Sequence, residues 1–285
     1  MLSADAVTHN PEVDLPGLPL PLTGRTSFFA ILGDPIAQAG SPALFNTAFR
    51  RRGWPAVLVP MQVKAADLAM TLRGLRGIGN LRGLVLTTPH KIAAVGLVDS
   101  IGAEARLVGS INAIRCGRDG RWHGENFDGL GCLRGLQMAG HSVAGRRVLV
   151  VGTGGAGAAV AAAIAREGPS SLRLHDVDAV RAGHVCAVLR ATFGAVSIVV
   201  GPPDLRGVDI VINCTPLGME GNPGPSVDAE GLAPGMVVAD LVIEPEMTEL
   251  LQAASSRGCI VHPGRRTLEG QVDALCTFFE GESHG

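Results

Sequence analysis

Apolar positions along the chain fall into short runs that alternate with segments of helical spacing, and this alternation occurs in two successive series. In the first series, residues 26–32, 56–63 and 83–87 read as strands, being apolar runs of strand length bounded by turn formers. Between the first two lies a helix over 42–52, with Ser41 as its expected N-cap and Pro42 in its first turn, because a serine oxygen satisfies an orphan amide and a proline has none to satisfy. Leu68, Leu72 and Leu75 mark one face of the next helix, and a further helix is expected from Lys91. The order is βαβαβα. It predicts a mainly parallel sheet covered by helices, since parallel neighbours require long crossovers.

The second series follows a glycine-rich stretch over 124–131. Residues 147–151 form an apolar strand, 156–167 an alanine-rich helix and 171–175 another strand. Later strands are expected over 208–213, 236–241 and 259–262, with a helix over 246–257 and an amphipathic terminal helix over 268–279. No solenoid-length repeat is visible, so the halves are two different α/β units. Residues 1–25 contain PEVDLPGLPLPLTG, whose prolines favour extended backbone, and read as an N-terminal tail.

Composition narrows the function. A content of 46% hydrophobic and 18% charged residues in 285 excludes a disordered chain and suits two packed domains. With 24 basic and 26 acidic residues the formal net charge is -2, without the basic footprint of a general nucleic-acid binder, so a small-molecule partner is expected. The six cysteines are scattered and the eight histidines show no ligand spacing, so no metal is expected. No apolar run reaches the ~20 residues of a membrane helix, and MLSADAVTHN has no secretory signal pattern. These features predict a cytoplasmic enzyme or binding protein.

One segment carries a specific chemistry. VLVVGTGGAGAAVAAAIA sets Gly152, Gly154, Gly155 and Gly157 between a buried strand and a helix opening at Ala156. Gly152 permits a tight turn, Gly154 lets backbone approach a pyrophosphate, and Gly157 lets helix and strand pack closely, while the helix N-terminus presents free amides. Asp176, at the end of the next strand, stands where a carboxylate accepts the adenosine ribose hydroxyls. A 2'-phosphate there meets like charge, so NAD is expected in preference to NADP. The plainer reading of Asp176 is a cap for the helix near Ala179.

GDPIAQAGSPALFN (33–46), RGLVLTTPHK (82–91), VGSINAI (108–114), GENFDGLG (124–131), VGTGGAGAA (151–159), NCTPLGM (213–219) and GQVDAL (270–275) together resemble the shikimate/quinate dehydrogenase family in order and spacing. The resemblance implies an N-terminal α/β substrate domain over 26–127, a Rossmann-type NAD(P)-binding domain over 128–263, and a C-terminal helix over 264–285 that returns to the first domain. It implies catalytic roles for Lys91 and Asp128, substrate contacts from Ser41, Thr87, Asn112 and Gln271, and cofactor contacts from Thr215 and Met219. The expected partner is a cyclic hydroxy or keto acid, and a homodimer is compatible with the resemblance.

Four positions depart from the family pattern. Ala39 replaces a carboxylate-binding serine, Val85 an asparagine, Phe127 a threonine and Ile243 a tyrosine. Their loss predicts a drier, tighter pocket, with Phe127 adding bulk beside Asp128, and places shikimate itself in question. The leading expectation is an NAD-dependent dehydrogenase that reversibly oxidises a ring hydroxyl. The rivals are a catalytically weak paralogue that binds NAD and a metabolite as a sensor, and a folate-type dehydrogenase, against which the absence of tyrosine counts.

Overall fold

The computed structural model describes residues 22–281, so most of the expected tail over 1–25 lies outside the described residues. The first sheet has the order β2-β1-β3-β5-β6-β4. Its strands are β1 (Ser27–Gly33), β2 (Ala56–Gln62), β3 (Leu81–Leu86), β4 (Ser100–Ile101), β5 (Ala113–Cys116) and β6 (Trp122–Glu125), with helices α1 (Ser41–Arg51), α2 (Leu68–Leu75) and α3 (Ala103–Val108). β1 lies parallel to β2 and β3, as the alternation predicts. The sheet is nevertheless mixed: β5 runs antiparallel to both β3 and β6. The link over 117–121 is too short for a crossover and closes a hairpin, with Gly120 at φ +81.

Two local expectations are also corrected. Gly40, not Ser41, is the N-cap of α1, and no side chain caps it. No α-helix starts at Lys91; there is only a 3-10 segment, Ala93–Leu97. The carbonyl of Lys91, which an α-helix would bond to residue 95, instead accepts from the Ile111 amide at 2.9 Å, and Val95 N bonds back to Ile92.

The second sheet is parallel throughout, in the order β12-β11-β10-β7-β8-β9. It is built from β7 (Arg147–Val151), β8 (Ser171–His175), β9 (Ile198–Val200), β10 (Ile210–Asn213), β11 (Val237–Asp240) and β12 (Ile260–His262). The helices α5 (Gly155–Arg166), α6 (Ala179–Thr192) and α7 (Glu249–Ser256) cover it. Strand order reverses between β7 and β10, which opens a crevice beyond their C-terminal ends. Helix α5 is nearly all buried alanine and glycine, and small side chains bring it close to its neighbours.

Helices α4 (Asp128–Met138) and α8 (Gly264–Glu280) join the two units. α8 packs along α4 and reaches α1, so the last helix does return to the first sheet. There Phe279 meets Phe29 at 5.1 Å and Phe45 at 6.3 Å between ring centroids. A Cβ on Gly129 would lie 2.2 Å from the Ala159 carbonyl oxygen, so α4 touches α5 at a separation only glycine allows. Asp128 begins α4, and its place is thereby fixed by the packing of α4 on α5 and α8.

Candidate active site

The segment between β7 and α5 forms the wall of a cleft of about 480 Å3, lined among others by Gly152, Gly154, Gly155, Ala156, Asp176 and Thr215. Gly152 has φ +90, and a Cβ on it would lie 2.8 Å from the Thr215 methyl. A Cβ on Gly157 would lie 1.9 Å from the Gly152 carbonyl oxygen, so the turn and helix fit only without side chains at both positions. Gly154 has open space at its Cβ position, leaving its backbone open to approach. These features fit a dinucleotide pyrophosphate, with the α5 amides as donors. Thr215 is braced from below: its hydroxyl donates to Asn213 Oδ1 at 2.7 Å, and Asn213 Nδ2 donates to the fully buried Asp240 at 2.9 Å. Burial pushes the Asp240 carboxyl up, although Val242, Thr248 and Asn213 all donate to it.

Across the cleft, Lys91 Nζ donates to Asp128 Oδ2 at 2.6 Å, with only 15% and 7% of the two side chains exposed. Asn112 Nδ2 donates to the other oxygen of Asp128 at 2.9 Å and to Gln271 Oε1 at 2.8 Å, while Asn112 Oδ1 accepts from the Phe127 amide. Lys91 follows β3, Asn112 precedes β5, Asp128 opens α4 and Gln271 lies on α8. Four elements far apart in sequence thus meet in one hydrogen-bonded group. Thr87 directly follows β3, where its amide is held by the Leu32 carbonyl, and Ser41 is buried in the first turn of α1 without capping it. Met219 sits in a turn closed by its amide on Pro216; it is not among the residues that line the cleft.

Residues 31–114 match the model of the shikimate dehydrogenase substrate binding domain. Over 252 residues the chain is 38% identical to a shikimate dehydrogenase (NADP(+)) of Rubrobacter xylanophilus, covering 87% of this chain and 88% of that protein. The chain belongs to the shikimate dehydrogenase family. A shikimate dehydrogenase solved with NADP+ superposes with a TM-score of 0.82 at 28% identity, covering 91% of this chain and 92% of the other. A quinate dehydrogenase from Corynebacterium glutamicum solved with NAD gives 0.76 at 29% identity, covering 90% and 94%. The protein is therefore an NAD(P)-dependent oxidoreductase of the shikimate/quinate dehydrogenase type.

Within this shikimate dehydrogenase relative, Asp176 is engaged locally. Its carboxylate accepts from the Thr153 amide and hydroxyl, the Asp178 amide and the Arg181 guanidinium, and 3% of the side chain is exposed. Burial pushes this carboxyl up, but Arg181 and the Asp178 and Thr153 donors outweigh it and hold it well below the usual carboxylate range. The cap of α6 is Asp178, which accepts from the Arg181 amide, so the plainer reading of Asp176 does not hold. Arg181 lines the cleft beside Asp176; in the sequence it is a nearby cation that does not directly follow the acid.

The family departures divide. Ala39 and Val85 join one apolar cluster with Ile36 and Ala113, and the Ile243 methyl lies 3.2 Å from where a Gly40 Cβ would stand, next to Ser41. Phe127 differs from expectation: its ring packs on Phe278 at 5.3 Å and lines a separate cavity at the other end of α8. The aromatic partner draws the ring down the helix, so it does not crowd Asp128. Thr153, Arg181, Ser110 and Asn126 also belong to the site, without a role assigned from the sequence. Thr153, Ser110 and Asn126 stand inside the quoted VGTGGAGAA, VGSINAI and GENFDGLG, so only Arg181 lies outside every motif.

Proposed function

We propose that this protein is an NAD-preferring dehydrogenase that reversibly oxidises a ring hydroxyl of shikimate, quinate or a related cyclic hydroxy acid to the ketone. The observation that carries this reading is the largely buried Lys91–Asp128 pair at 2.6 Å, beside the glycine turn. In the oxidative direction, Lys91 Nζ takes the proton of the substrate hydroxyl, and in reduction returns it. Asp128 holds the amine through Oδ2, and Asn112 holds Asp128 through Oδ1, so the lysine is aimed by a fixed carboxylate. A positioned acid-base group of this kind contributes roughly 100-fold to 10,000-fold. Gly152, Gly154, Gly155, Ala156 and Gly157 would hold NAD, which would supply the hydride acceptor. Ser41, Thr87, Asn112 and Gln271 surround the substrate with neutral groups that donate and accept, as a polyol requires.

The preference for NAD rests on charge. Asp176 places a fixed negative charge at the ribose end, and Arg181, the nearby cation, is neutralised by both Asp176 and Asp178. A 2'-phosphate there would have to compete with two carboxylates for Arg181. Ala39, Val85 and Ile243, apolar where the family keeps polar groups, favour a substrate with fewer polar groups than shikimate has. The six cysteines are unpaired, which suits a reducing cytoplasm. The test is a panel of cyclic hydroxy acids with NAD and with NADP, followed by absorbance of the reduced cofactor. Turnover with higher kcat/KM for NAD supports the reading; intact NAD binding without turnover of any member identifies a sensor-like paralogue instead.

A further inference from the structure

Two residues assigned neither to substrate nor to cofactor, Ser110 and Asn126, form a buried hydrogen-bond chain that links the first unit to the second. Ser110 is fully buried in the loop before β5, and its hydroxyl donates to the carbonyl of Gly155, the first residue of α5, at 2.8 Å. Asn126 Nδ2 in turn donates to Ser110 Oγ at 2.9 Å and to the Ser110 carbonyl at 3.3 Å. The other end of the same amide, Asn126 Oδ1, accepts from the Asp128 amide at 2.9 Å. Since Asn126 fills an acceptor site of the hydroxyl, the Ser110 proton is left for Gly155 and its direction is fixed.

Packing reinforces the link. A Cβ on Gly155 would lie 2.9 Å from Lys91 Cβ and 3.3 Å from Ser110 Cβ, so the first turn of α5 rests directly on the lysine and the serine. Ile111, next to Ser110, donates its amide to the Lys91 carbonyl at 2.9 Å. The start of α5, the backbone of Lys91 and the backbone of Asp128 are therefore joined through Ser110 and its two neighbours. α5 is the element whose amides face the cleft, so its position against Lys91 sets how the two reacting partners meet.

We infer that Ser110, oriented by Asn126, is a positioning residue that holds the cofactor-binding helix at a fixed distance from the Lys91–Asp128 pair and so sets the rate of hydride transfer. The inference rests on the reading of that pair as the acid-base group. Misplacement of reacting groups by about 1 Å costs on the order of 100-fold, and loss of one hydrogen bond with packing retained costs a fraction of that.

The test is the single-turnover rate of hydride transfer in stopped flow, per active site titrated with NAD, for wild type, Ser110→Ala and Ser110→Cys. For Ser110→Ala the expected outcome is a rate lower by roughly 5-fold to 50-fold, with the Kd of NAD within about threefold of wild type. Ser110→Cys keeps the volume with a weak donor and falls between. A merely structural role would lower Tm and the active fraction and leave the rate per active site within twofold of wild type, which overturns the inference. Absence of wild-type turnover across the whole panel would instead overturn the reading of the site on which it rests.

Discussion

Asp176 and Arg181 illustrate how much a single side chain carries in this cleft. A carboxylate that already accepts from Thr153, Asp178 and Arg181 is held in place, and these donors keep it ionised well below the usual carboxylate range. Replacement by Asp176→Ser removes that charge and releases Arg181 from its nearest partner. The ratio of kcat/KM for NAD over NADP should fall by roughly 10-fold or more, a change of about 1.4 kcal/mol, as read from paired steady-state measurements. A wild-type preference for NADP would refute the charge argument. At the substrate end, Ala39→Ser alone should raise kcat/KM for shikimate, because a donor is restored beside Ser41 and Phe127, turned onto Phe278, does not obstruct it. An ordinary hydrogen bond of about 0.5–1.5 kcal/mol corresponds to a gain of roughly 2-fold to 12-fold. Unchanged kinetics with the variant would mean that residue 39 does not face the substrate.

At the level of elements, the glycine turn was legible in the sequence because its requirements are local. A buried strand, glycines at fixed spacing and an alanine helix appear contiguously, and the structure shows the contacts that demand them. Gly157→Ala puts a methyl 1.9 Å from the Gly152 carbonyl oxygen. Backbone must then move, at a cost of roughly 1–3 kcal/mol. NAD affinity should drop at least 10-fold in a calorimetric titration; wild-type affinity in a folded variant would contradict the close fit. The β5-β6 hairpin and the short turn after Lys91 were not legible. In the first case, tight glycine turns at Gly117 and Gly120 interrupt an apolar pattern too brief to count as strands. In the second, a helical pattern after Lys91 is overruled by a tertiary bond from Ile111. Ser41 lost its expected capping role for a similar reason, since the helix begins one residue earlier than the serine-proline pair suggests.

For the whole molecule, the site is a junction: Lys91 and Asn112 come from the first sheet's loops, Asp128 and Gln271 from the two helices that join the units, and the glycine turn from the second sheet. Family motifs made the members of this group legible one by one, but their mutual bonds depend on long-range packing that no local pattern encodes. Packing also leaves a mark on stability. His262 is buried at the end of β12 with neither ring nitrogen bonded, and burial, with Arg266 and His141 nearby, pushes its pKa down to about 4. The folded state keeps it neutral while the unfolded chain takes up a proton below its ordinary value of 6.5. Stability therefore falls as pH drops from about 6.5 to about 4, by on the order of 3 kcal/mol from this group, and levels off below. His262→Leu should flatten the Tm profile in that window by several degrees relative to wild type; parallel profiles would show that His262 does not titrate in this way.

The central claim is that Lys91, held by Asp128, moves the proton that accompanies hydride transfer. The most direct measurement is kcat of Lys91→Ala on the best hydroxy acid of the panel, together with its Kd for NAD. The account predicts kcat lower by roughly 100-fold to 10,000-fold with NAD binding changed by no more than about threefold, and turnover at the wild-type rate would contradict it.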